Sequence, residues 1–160
     1  HSAADKAGLF LDYVGYLYAA GMGVQEAYVQ TYSAWGVYDW FQVQSSKAPG
    51  VVKKMLGTAT VSTKVASSGA SRNSVRFERV DLVRSEKSSA IFSFRGRDQK
   101  GALLEATHSL YRQGLSIQWA RVHTWGQQID DVFGVEKTSD VEWSAILAEI
   151  KKTCGQVAED

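Results

Sequence analysis

Three histidines, one cysteine and a pair of adjacent aspartates are the side chains of this 160-residue chain best suited to metal binding or acid–base work. Their spacing argues against both uses. His108 falls on a predicted helix and His123 on a predicted strand, while His1 stands at the first position. None is paired at helical spacing, and no third ligand is near in sequence, so a metal centre of the usual ligand count is not expected. Asp130 and Asp131 are neighbours on a strand and must point to opposite faces, so they cannot form a paired carboxylate site. Cys154 ends the last predicted helix with no base beside it. A phosphate-cradling G-x-x-x-x-G-K-S/T loop is absent, and so is any nucleophile–base–orienter set. The expectation is a non-enzyme with no catalytic residue, no metal and no cofactor.

Aromatic and basic side chains offer a second kind of chemistry. Trp35, Trp40, Trp119, Trp125 and Trp143 are many for this length. Packing in a core or interface is the simpler use for them than a stacking platform for bases. Phe92-Ser93-Phe94-Arg95-Gly96-Arg97 only faintly echoes the aromatic signature of RNA-binding sheets. Lys53, Lys54, Lys64, Arg72, Arg76, Arg79 and Arg84 make the middle of the chain basic, as a solvated face would be. The net charge is only +1, which argues against a strongly basic nucleic-acid binder.

The elements that must position any site follow from pattern. With 44% hydrophobic and 22% charged residues, the chain has enough apolar surface for a core. A single cysteine excludes a disulfide scaffold. No apolar run approaches the roughly 18 residues of a membrane helix, and the first residues do not read as a signal peptide. A soluble, cytoplasmic protein is the expectation.

Residues 5–31 repeat at 98–124 with an offset of 93, and residues 36–43 repeat at 128–135 with an offset of 92. The alignment holds 13 identities, among them Asp5/Asp98, Gly8/Gly101, Tyr18/Tyr111, Gly21/Gly114, Ala27/Ala120, Asp39/Asp131 and Phe41/Phe133. Unrelated segments of ordinary composition would share about two or three. In each copy, apolar residues at helical spacing follow the first glycine and stop at the second, the residue suited to a left-handed helix end. Two alternating segments joined by a short turn then predict a hairpin, at 24–44 and again at 117–136. A second helix is expected at 51–56 in the first copy and at 141–153 in the second. A strand at 90–94 precedes the second copy.

This order is most of a ferredoxin-like unit. The expectation is an α+β protein of two βαββαβ units, with antiparallel sheets and helices on one face. Residues 1–56 form the first unit, without its first strand. Residues 57–88 form a linker containing a strand at 73–83, and residues 89–160 form the second unit, without its last strand. Because unpaired backbone groups in a core are costly, the units are expected to share one extended sheet or to face each other through their helices. Residues 73–83 are expected to fill a vacant position, and a homodimer is expected.

The turns DKAGL and DQKGA, with the hairpins QTYSAWGVYDWFQV and HTWGQQIDDVFGV, resemble ACT domains, in particular the tandem copies ending bacterial PII-protein uridylyltransferases and those of plant ACT-repeat proteins. The proline that precedes the glycine in that family is replaced by Ala7 and Lys100. The resemblance implies a regulatory, allosteric module that senses an amino acid between two units, with glutamine the first candidate. By position, the ligand-binding residues are Asp5, Lys6, Ala7 and Gly8 with Asp98, Gln99, Lys100 and Gly101 at the turns. Gly23, Val24, Ser116 and Ile117 stand at the strand starts. A glycine at a helix start lets a ligand approach the backbone, and free N–H groups there suit a carboxylate. The aspartates are expected to cap their helices rather than to bind an ammonium group. The implied partners are the amino acid and a regulated enzyme or a second copy, with neither nucleic acid nor membrane. The alternative is a non-catalytic assembly module with a vestigial ligand site.

Overall fold

A computed structural model describes residues 8–32, 36–47, 50–51, 75–139 and 141–154. The elements run α1 (Leu9–Ala19), β1 (Gly23–Tyr32), β2 (Gly36–Gln44), β3 (Arg79–Ser85), β4 (Ser89–Arg97), α2 (Ala102–Arg112), β5 (Ser116–Trp125), β6 (Gln128–Glu136) and α3 (Trp143–Cys154). Of the expected helix at 51–56 only Val51 is described, with helical geometry, and most of the linker lies outside the described residues.

The repeat is visible in the backbone. Gly8 and Gly101 enter their helices with φ of 87° and 92°, a left-handed conformation in which a side chain would be strained. Each helix ends in the same pair of bonds. Met22 N–H donates to Leu17 O and Gly21 N–H to Tyr18 O; Leu115 N–H donates to Leu110 O and Gly114 N–H to Tyr111 O. This is the Schellman ending that a left-handed glycine permits. A lysine beyond each hairpin returns to the helix end: Lys47 Nζ donates to Ala20 O, and Lys137 Nζ to Gln113 O at 2.8 Å. A cation there complements the negative end of the helix dipole.

Both predicted hairpins form, β1 with β2 and β5 with β6, each antiparallel. The two copies share one sheet of six antiparallel strands in the order β2-β1-β5-β6-β4-β3. Its centre obeys the repeat. Tyr28 pairs with Arg121, its own equivalent at the offset of 93, while Glu26 pairs with His123 and Gln30 with Trp119. Each step away from Tyr28 in one copy is matched by an equal step in the other, so a pseudo-twofold axis passes through the Tyr28–Arg121 pair.

The three helices bury one face of this sheet. Val14 of α1, Ala106 and Leu110 of α2, and Ile146 and Ile150 of α3 join Ala27, Val29, Ala120, Val122, Phe92 and Phe133 in a single core. That core crosses from one copy to the other. The helices α1 and α2 meet reciprocally: a side chain at Gly8 would stand 2.9 Å from the Tyr111 ring, and one at Gly101 would stand 3.1 Å from the Tyr18 ring.

The elements given above make an α+β architecture, with one antiparallel sheet and three helices among the described residues. Two complete βαββαβ units are not seen among the described residues. The second copy supplies strand, helix, hairpin and helix, and β3 fills the place beside β4 where its last strand would lie. The predicted strand at 73–83 is shorter and later, Arg79–Ser85. Val75 and Phe77 precede it without strand geometry, and Phe77 is buried against Phe94. From the first copy, the described residues supply one helix and one hairpin.

Candidate functional site

The pseudo-twofold arrangement brings the start of each hairpin opposite the helix start of the other copy. Gly23, Val24, Gln25 and Gln44 from the first copy face Asp98, Gln99, Lys100 and Gly101 from the second, around a cavity of about 380 Å³. Six of the predicted site residues thereby line one space. Tyr18, Met22, Leu104, Thr124 and Asp131 are also in its wall. Gly8, Ser116 and Ile117 come together around the repeat-related cavity with Phe10, Val29, Val37 and Tyr111. That space is only about 20 Å³, the scale of a single water. Part of the difference is side-chain size: Phe10 stands where the larger cavity has Leu103, and its ring stacks on Phe41 at 5.8 Å. Asp5, Lys6 and Ala7 lie outside the described residues.

The polar groups of the larger cavity have distinct origins. Glu105 N–H donates to Gly101 O, and Ala102 N–H to Gln99 O. The N–H groups of Leu103 and Leu104 come too early in α2 for a carbonyl within the helix. They form the positive end of the helix. Asp98 does not cap it, contrary to expectation. The cap position is held by Gly101 with no side-chain bond, and Asp98 N–H donates instead to Gln127 O in the facing turn. Three residues separate Asp98 from the helix, and Asp98 lines the cavity. Lys100 extends over the Tyr18 ring, 5.6 Å from its centre.

Asp131 is the residue that pattern alone did not place here. It is 1% exposed on the inner face of β6, and its Oδ1 accepts a bond from the His123 backbone N–H at 3.3 Å. Burial raises its pKa to about 7; the His123 bond opposes the rise, and the charges of Asp130 and Asp98 add to it. The identity Asp39/Asp131 was the available signal, since an aspartate on the apolar face of a strand needs a reason. Asp130 points to the other face, where Arg95 Nε meets its carboxylate at 3.2 Å.

The remaining sequence candidates lie elsewhere. His123 Nδ1 meets Glu26 Oε1 at 3.0 Å on the outer face, and His108 Nδ1 contacts Arg112 at 3.0 Å. No group of His, Cys, Asp and Glu among the described residues is arranged to hold a metal ion. Cys154 is buried, and burial pushes its thiol up to about 11, which disfavours the thiolate. The tryptophans divide: Trp143 is buried and donates to Glu86 O at 2.7 Å, Trp119 lies across Gly134, and Trp40 and Trp125 are exposed. No helix among the described residues is long and apolar enough to cross a membrane.

No family model, curated protein or solved structure matches this chain.

Proposed function

We propose that this chain is a regulatory module that binds an amino acid in the cavity between the Gly23–Gln25 strand start and the Asp98–Gly101 turn. The observation that carries this is the meeting of those two segments, one from each copy, around a space of about 380 Å³. That size lies in the ordinary range of small-molecule pockets, about 300–1,000 Å³. The arrangement matches what the ACT resemblance implies, a ligand held between the turn of one unit and the strand start of another. Its chemistry suits a zwitterion. The first N–H groups of α2 complement a carboxylate, and Asp131 with Asp98 complements an ammonium group. Gln25, Gln44 and Thr124 supply side chains that hydrogen-bond a polar group such as the amide of glutamine, the first candidate.

Thermal-shift measurement with each of the twenty amino acids at millimolar concentration tests the proposal. A rise in melting temperature with glutamine or a small set of amino acids is expected. No shift with any of them would reject a ligand-sensing role and leave assembly as the better account. Binding also carries a pH signature. An ammonium group pairs with ionised Asp131, so affinity is expected to fall as pH drops below about 7, the pKa of that carboxyl. Calorimetric titration at pH 6 and pH 8 would read it, and pH-independent binding would remove Asp131 from the ammonium site.

A further inference from the structure

The two hairpins are related by the repeat but are covered differently. In the second copy, β6 is sandwiched: β5 pairs along one edge and β4 along the other. Its inward side chains are closed off, with Phe133 at 0%, Val135 at 1% and Ile129 at 5% exposure. In the first copy, β2 pairs with β1, and no described strand pairs with its other edge. The equivalents of those three side chains, Phe41, Val43 and Val37, are all only partly buried. Tyr38 and Trp40 on the outer face of β2 are 58% and 44% exposed. An edge with no described partner strand, beside an incompletely covered apolar row, is the condition under which strand addition is favoured.

The second copy also defines what fits. Along β6, Val135 faces Ala90, Phe133 faces Phe92 and Asp131 faces Phe94, all buried on the helix side of β4. On the outer side, Ile91, Ser93 and Arg95 stand opposite Gly134, Val132 and Asp130. Transferred by the repeat, the strand that completes β2 runs antiparallel to it. Apolar side chains fall opposite Val43, Phe41 and Asp39, and polar ones opposite Trp40 and Tyr38. We infer that this outer edge of β2 is a docking site for a partner strand of the β4 type, apolar along its helix-facing side, which closes the core over Phe41 and Val43.

The protein's own β4 segment supplies the probe. A synthetic peptide of residues Ser89–Arg97 is added to the full chain, and amide hydrogen exchange is followed along β2. At least tenfold slower exchange is expected at the β2 amides that point away from β1, with little change at those bonded to β1. The same peptide carrying Phe92→Asp and Phe94→Asp keeps the backbone but loses the apolar row, and it should give no protection. Equal protection by both peptides, or none by either at millimolar concentration, would overturn the proposal. So would a self-associated protein whose β2 edge amides are already protected without peptide, because the occupant would then be a second copy of β2.

Discussion

Asp131 illustrates how one buried group couples stability to binding. Its pKa is raised from 3.8 to about 7 in the folded protein. Between these values the folded form holds a proton that the unfolded chain has released, so stability should decline as pH rises from about 4 to about 7 and level off above. Asp131→Asn keeps an oxygen for the His123 N–H and removes the buried charge. Chemical denaturation at pH 8 should show the variant more stable by roughly 2–4 kcal/mol, with the advantage shrinking toward pH 4. The same substitution should weaken amino-acid binding at least tenfold, since the pairing charge is gone. A variant more stable but equally able to bind would leave the ammonium to Asp98.

At the scale of elements, the reciprocal seating of α1 and α2 depends on two glycines. A side chain at Gly101 meets two obstacles, a φ of 92° and the Tyr18 ring 3.1 Å away. Gly101→Ala should therefore cost about 1–3 kcal/mol for the backbone conformation alone, with more for displacing the ring. The two contributions separate in a double-mutant cycle. In a Tyr18→Ala background the cost of Gly101→Ala should fall by at least about 0.5 kcal/mol, measured by urea denaturation. An unchanged cost would mean that the tyrosine yields freely. Because Gly101 and Tyr18 also line the larger cavity, the single substitution should loosen ligand binding as well.

The molecule as a whole joins its two copies through the β1–β5 pair and a shared core. Such continuity leaves no boundary at which one copy can melt alone. Far-UV circular dichroism and tryptophan fluorescence should therefore report coincident denaturation curves. Ala120 lies at this junction, fully buried and adjacent to Val29 in the neighbouring strand. Ala120→Asp would bury an unpaired charge and should abolish both signals together, with a loss above about 4 kcal/mol. A variant that kept half of its helical signal would show that the copies fold separately.

The repeat, both hairpins, the two glycine-bounded helices and the last helix are legible in the chain itself. They rest on local physics: alternation for strands, 3.6-residue spacing for helices, and glycine where the backbone turns left-handed. The turn and strand-start residues were singled out only through the resemblance to ACT domains; that six of them line one cavity is a tertiary finding. What sequence did not reach was set by long-range pairing. Asp98 lies ahead of the cap position, which Gly101 holds, and its backbone N–H bonds to Gln127, 29 positions away. Whether Asp131 faced solvent or the cavity between the copies depended on which strand lay beside β6 and which copy stood across from it. The placement of β3 at the outer edge, the β1–β5 register about Tyr28, and the single core across both copies are likewise tertiary facts. Each is decided by which surfaces meet, and no local pattern records the partner.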